Sequence, residues 1–152
     1  MFCQTRVRPI RRVSGSPKRH LKIHFVHTFK DTEINRKFNP ANLAQFTGTE
    51  RYYRLNCKCL ITDGAKFLAD AAEAYWLLDA AASYLIELGT ADWFVLVRLS
   101  VKSNWAELTI EDGNGGIRAL QQIPYTDFPA DHQVLYANWD GQHWVIMLPS
   151  EY

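Results

Sequence analysis

The stretch Asp63–Leu88 is the longest helix-like run in the chain, and everything after it reads as strand. A helical projection puts Ala74, Leu77, Leu78, Ala81, Tyr84, Leu85 and Leu88 on one arc, and Glu73, Trp76, Asp79, Ala80, Ser83 and Glu87 on the other. The first arc is expected to face a core. A single helical layer followed only by strands has one natural way to bury that arc, which is against one face of a sheet.

From Ala91 the hydrophobic period changes to two. Residues 93–101, 104–112, 117–123, 132–139 and 142–148 are five strand candidates, and their mostly short connections favour antiparallel neighbours. Gly113-Asn114-Gly115-Gly116 and Asp140-Gly141 have the composition of hairpin turns. The inward face is expected to carry Leu108, Ile110, Leu120, Leu135, Ala137, Trp139, Trp144, Ile146 and Leu148. The outward face is expected to carry Glu107, Thr109, Glu111, Arg118 and Gln122. Upstream, Asn39-Pro40 reads as an N-cap and first helical residue of a short helix that Gly48 can end. Residues 50–55 and 58–61 are short strand candidates, and Thr62-Asp63-Gly64 supplies a turn and a cap. The expected fold is therefore α+β, with a helical layer (about 40–46 and 64–88) packed on one face of a roughly five-stranded antiparallel meander.

Several segments carry a resemblance. They are Phe46-Thr47-Gly48-Thr49-Glu50 with Tyr52-Tyr53-Arg54, Thr62-Asp63-Gly64, Ala74-Tyr75-Trp76-Leu77-Leu78-Asp79 with Ala82-Ser83-Tyr84, and Glu111-Asp112-Gly113-Asn114-Gly115. Ile123-Pro124-Tyr125-Thr126-Asp127-Phe128-Pro129 and Leu148-Pro149-Ser150-Glu151-Tyr152 complete the set. Together, over about residues 38–152, they resemble a family of small uncharacterised bacterial and phage proteins, a domain of unknown function. The resemblance implies a compact α+β domain common on mobile elements, and it implies no activity. The basic N-terminal arm and Cys57-Lys58-Cys59 depart from the pattern.

Charge divides the chain. Residues 1–40 hold ten Lys/Arg against two acids, a net +8, and residues 41–152 hold seven against fourteen, a net −7. Residues 1–37 are expected to be a basic, flexible arm and residues 38–152 a single globular domain. Arg6, Arg8, Arg11, Arg12, Lys18, Arg19 and Lys22 are the candidates for phosphate contact, each neutralised phosphate releasing a counterion. Three cysteines, Cys3, Cys57 and Cys59, argue against a disulfide framework and for a reducing, cytoplasmic setting. The most apolar window, residues 74–86, contains Asp79 and falls short of the roughly twenty residues a membrane span needs.

Chemistry finds little support in the motifs. His20, His24 and His27 lie in a segment of strand periodicity that separates their side chains, so no metal site is expected there. Residues 111–116 lack the alternating acids and closing glutamate of a calcium loop, and Cys57 and Cys59 have the wrong spacing for a zinc knuckle. His132 or His143 with Asp127 or Asp140 would make an acid–base pair only if the fold joined them. No nucleophile elbow, P-loop or dinucleotide glycine series is present, so no catalytic residue and no cofactor is expected. A non-enzymatic binding module remains, with Trp76, Asp79, Tyr52, Tyr53 and Tyr125 as protein-contact candidates. Its alternative is nucleic-acid binding through the arm.

Overall fold

The computed structural model describes residues 38–152. The arm cations, His20, His24, His27 and Cys3 lie outside the described residues. Asn39 caps a 3-10 helix, Pro40–Gln45, its side-chain oxygen accepting the Ala41 N–H at 3.0 Å with proline in the first turn. The central stretch forms two helices rather than one, α1 (Asp63–Ala71) and α2 (Tyr75–Leu88). Between them the chain turns at Glu73, whose φ of 51° lies in the left-handed region. The Ala74 N–H closes the turn on the Ala69 carbonyl at 2.9 Å. Neither glycine nor proline marks this break, so nothing in the local composition announces it.

Seven strands form one mixed sheet: β1 (Tyr53–Arg54), β2 (Cys59–Ile61), β3 (Phe94–Lys102), β4 (Trp105–Glu111), β5 (Ile117–Ile123), β6 (His132–Trp139) and β7 (Trp144–Met147). Their order is β1-β2-β7-β6-β3-β4-β5. The five C-terminal strands fall where the alternation predicts and pair antiparallel with one another. Two features depart from a simple meander. β6 leaves β5 to pair with β3, and β2 adds to β7 in parallel, bringing the β1–β2 hairpin into the same sheet. The parallel pair is extended by the Thr62 N–H, which donates to the Ile146 carbonyl at 3.1 Å and so delivers the chain directly from sheet to α1.

Leu68, Ala69, Leu77, Leu78, Ala81, Ala82 and Leu85 of the helices are buried, as are Cys59, Ile61, Val95, Val97, Leu99, Ala106, Leu108, Ile110, Leu135, Ala137, Trp144 and Ile146 of the sheet. The strand register places that second set on one face. The expected core arc of α2 thus holds and gains Ala82. Leu120 does not belong to the inward face. It opposes Thr109 across the β4–β5 ladder, shares its face with Gln122, and is 49% exposed. Ala119, opposite Ile110, takes the inward position because strand alternation puts it on the face of Ile123, and beyond it the register shifts at Arg118 so that Ile117 opposes Glu111.

The other face of the sheet carries no helix among the described residues, yet it is not plainly polar. Phe94 packs on Tyr136 at 5.1 Å between ring centroids and on Tyr152 at 5.2 Å, and Tyr136 and Tyr152 are 5.7 Å apart. Val145 and Met147 of β7 are buried although they point opposite to Trp144 and Ile146. Arg98 lies across this face with its Nε 3.0 Å from Glu111 Oε1, and Thr109 is buried beside them.

Candidate functional site

The start of α1 gathers segments far apart in sequence. Thr62 is its N-cap, with the hydroxyl accepting the Ala65 N–H. Asp63, the first helical residue, faces away from the axis toward residues 49–53. One of its oxygens accepts the Thr49 hydroxyl at 3.0 Å, the Glu50 N–H at 2.8 Å and the Arg51 N–H at 3.1 Å, and the other accepts the Tyr53 hydroxyl at 2.9 Å. The Glu50 N–H, then Tyr53, Arg51 and Thr49, hold this carboxyl below the usual aspartate range, while the same bond pushes the Tyr53 hydroxyl up. From the C-terminal end, Glu151 accepts the Thr62 hydroxyl at 2.6 Å, the Gly64 N–H at 2.8 Å and the Leu148 N–H at 3.0 Å. Two carboxylates therefore meet the N–H end of one helix, where negative charge is favoured. A β-carbon on Gly64 would sit 2.6 Å from Glu151 Oε2 and from Leu148 Cδ1, which explains glycine at that position.

An open cleft of about 760 Å³ borders this clasp, lined by Phe46, Thr49, Arg51, Tyr53, Lys66 and Asp70 among others. Phe46 and Phe67 also line it, their rings tilted at 43° with centroids 5.1 Å apart. Lys66 is paired with Asp70, which also accepts the Tyr75 hydroxyl at 2.8 Å. Both Asp63 oxygens are thus occupied and Lys66 is paired, so these two groups serve the structure of the cleft wall.

Among the expected contact residues, Tyr53 belongs to the clasp, and Tyr52 and Tyr125 are exposed. Trp76 is half-buried and meets Phe128 edge-on at 6.4 Å and 88°, with Phe38 6.2 Å behind Phe128. Asp79 stays exposed one turn further along α2. Phe128 comes from the β5–β6 loop, which is pinned by the Thr126 N–H on the Asn104 carbonyl at 2.7 Å and by the Phe128 N–H on the Thr126 hydroxyl at 3.1 Å. The partner of Trp76 is therefore this loop.

Of the acid–base candidates, the fold brings His143 and Asp140 together but leaves His132 at the other end of β6. His132 opens β6, while His143 sits in the hairpin beyond its far end, beside Asp140 at 4.0 Å. Asp140 itself is engaged as a turn former, accepting the Gln142 and His143 N–H groups at 2.7 and 2.6 Å. Cys57 is exposed in the β1–β2 turn and Cys59 is buried in the core, so the two thiols do not share a surface. Asp112 likewise accepts the Asn114 and Gly116 N–H groups, at 2.8 and 2.9 Å, closing the β4–β5 hairpin.

Two features escape motif reading: the double clasp on α1 and the apolar open face. The second had a signal. Phe94, Leu96 and Tyr136 alternate with Val95, Val97, Leu135 and Ala137, so the first half of β3 and the middle of β6 are apolar on both sides.

These features define an α+β protein with a mixed seven-stranded sheet, one helical layer, and hydrogen-bonding nodes that tie its ends to α1. Its sequence places it further: the chain belongs to DUF6876, a family of unknown function, whose model matches residues 37–152. A crystal structure of a protein of unknown function from Enterococcus faecalis is similar at 16% identity and a TM-score of 0.41, covering 67% of this chain and 98% of that one. Among curated proteins nothing matches.

Proposed function

We propose that residues 38–152 are a protein-binding module that performs no chemistry of its own and docks its partner on the open face of the sheet. The observation behind this is the aromatic set Phe94, Tyr136 and Tyr152, flanked by Trp93 at 63%, Ile117 at 60% and Tyr152 itself at 68% exposure. Contiguous exposed aromatic and aliphatic side chains are the usual composition of an interface centre, since large rings bury much area for little lost entropy. Free Cys57 and Cys59 favour a cytoplasmic setting, and the family resemblance is what supports a role on mobile elements. Trp93→Lys with Tyr152→Lys tests the proposal, because both side chains are exposed and their replacement spares the core. Recovery of partner proteins from native lysate should fall at least tenfold, with the far-ultraviolet spectrum unchanged. Undiminished recovery by the double variant would remove the open face from consideration.

A second reading, nucleic-acid binding through Arg6, Arg8, Arg11, Arg12, Lys18, Arg19 and Lys22, is favoured by the charge division alone.

A further inference from the structure

We propose that the first half of β6 is a docking site for an extended peptide of another protein, which adds as a short strand in line with β7 and carries apolar residues between basic ones. The inference is independent of what docks on the open face. β3 pairs with β6 as far as His132, whereas β7 covers only residues 136–139. The Val101 N–H donates to the Asp131 carbonyl at 2.7 Å and the Trp139 N–H to the Trp93 carbonyl at 2.8 Å, so odd-numbered residues in this register turn their backbone groups to β3. The even-numbered residues turn theirs to the β7 side, and at His132 and Val134 no strand is there to meet them. Among the described residues both N–H groups and the His132 carbonyl are without a partner. The Val134 carbonyl has only the side-chain amide of Gln133, whose Nε2 lies 2.9 Å away and stands in for the missing strand. The outer edges of the sheet offer less: β1 has two residues, and β5 is interrupted by a bulge at Arg118, which Asp92 and Asp112 hold in place.

The gap is built into the fold. Continuing the register would set Pro149 opposite Val134, but proline has no N–H, and the chain turns there into a 3-10 helix, Pro149–Glu151, which Glu151 ties to Gly64 of α1 and to Leu148. What remains beside β6 is a groove of about 590 Å³ along residues 131–134, bordered by Pro149 and by Pro40, Leu43 and Ala44 of the first 3-10 helix. N–H and C=O groups recurring at every second residue along one line are matched by an extended backbone, which repeats its own at the same interval. A nucleic acid or a lipid has no such repeat. An added strand turns alternate side chains to opposite faces, and the set on the helical side meets Leu43 and Ala44, on the helix that packs beside α1, so it is apolar. Asp131 is exposed and makes no ion pair among the described residues, and no Lys or Arg lines the groove. Positions on either side of the apolar ones therefore favour lysine or arginine.

The test titrates the isotope-labelled full chain with acetylated, amidated peptides Lys-X-Lys-X-Lys in which X is Val, Leu or Phe. At least one of them should bind with a Kd below about 1 mM, and at saturation exchange of the His132 and Val134 amides should slow about tenfold or more. N-methylation blocks one edge of a strand at a time, because alternate residues turn their N–H groups to opposite edges. Methyl groups on the X residues and on the lysines of the bound peptide should therefore have unequal effects, one set abolishing binding and the other sparing it. Asp131→Lys should weaken binding about tenfold. Trp93→Lys, on the open face at the far end of β6, should leave it unchanged. No binding by any of the three peptides at about 1 mM, protection confined to other amides, equal tolerance of both N-methyl sets, or indifference to Asp131→Lys would each overturn the proposal. The N-methyl arm uses the native chain and so stays decisive if a lysine at 131 disturbs folding.

Discussion

Removing the Glu151 carboxylate should loosen the whole domain although it lies in the second-last residue. Glu151→Ala leaves three donors without their acceptor: the Thr62 hydroxyl, the Gly64 N–H and the Leu148 N–H, all three on buried residues. A hydrogen bond to a charged acceptor contributes about 1.5–3 kcal/mol, and an N-terminal cap about 1 kcal/mol. The three bonds share one carboxylate, and Thr62 keeps a weak contact to the Ile146 carbonyl at 3.5 Å, so their contributions do not simply add. Water also enters where the half-exposed side chain was removed, which sets the expected loss at about 3 kcal/mol. For a domain of this size that is roughly 12 °C in Tm. Glu151→Gln keeps one acceptor oxygen and should lose about half as much. Gly64→Ala drives a β-carbon into the same carboxylate and into Leu148, and overpacking of this kind costs about 1–3 kcal/mol. Because both changes act on one contact, the double variant should be more stable than the sum of the singles by about 1 kcal/mol. Thermal and urea unfolding of the native protein, the three single variants and the double variant measure this directly. A Tm change below about 3 °C for Glu151→Ala, or strict additivity in the cycle, would refute the clasp as a source of stability.

Four further outcomes are expected. Asp63, held below the usual 3.8 chiefly by the Glu50 N–H, stabilises the fold above that pH and loses the contribution as pH falls through its lower folded value. The urea midpoint of Asp63→Asn should therefore approach that of the native protein on acidification below about pH 5, and parallel acid limbs would contradict it. Phe128→Ala empties the space between Trp76 and Phe38 and should cost about 3–4 kcal/mol with a red-shifted tryptophan emission, an unchanged spectrum counting against the loop as the cover of Trp76. Glu73→Gly relieves the left-handed conformation between α1 and α2 and should raise stability by about 0.5–1 kcal/mol in urea unfolding, a loss instead indicating that the Glu73 side chain is needed there. If the arm binds nucleic acid, affinity in a gel-shift titration should drop about a thousandfold between roughly 50 and 200 mM salt and vanish in a chain beginning at Phe38, whereas equal retention by both chains would exclude the arm.

The parts of the fold legible in the sequence are those set by local periodicity. Alternation placed β3 to β7 within a few residues, and Gly113, Gly115 and Gly141 adopt the positive φ their turns require. What was not legible depends on pairing between distant segments. Cys59–Ile61 is too short to reveal that it lies parallel to Trp144–Ile146, since that pairing is fixed by where α1 must begin and not by its own residues. The helix break at Glu73 is hidden for a related reason: burying Leu68 and Ala69 of α1 together with Leu77 and Leu78 of α2 overrides the preference of Glu73 for the right-handed region. Leu120 was misplaced because positions 120 and 122 of β5 share a face, so Leu120 cannot point inward while Gln122 points out.

The segments that carry the family resemblance resolve into structural nodes. Residues 46–54, 62–64 and 148–152 build the two clasps on α1, residues 74–79 and 123–129 supply Trp76 and the loop that covers it, and residues 111–115 close the β4–β5 hairpin. In these nodes Asp63, Glu151 and Asp112 are spent on backbone N–H groups and hydroxyls, so their carboxylates specify the fold. Between the nodes lie the open sheet face around Phe94 and Tyr136 and the unpaired side of β6 at His132 and Val134. Neither surface has a motif, because an interface asks only for exposed apolar area and unpaired backbone, which many sequences supply. The residues easiest to recognise in the sequence are therefore the ones that build the scaffold, and the surfaces on which function is proposed here become visible only once the strands are set side by side.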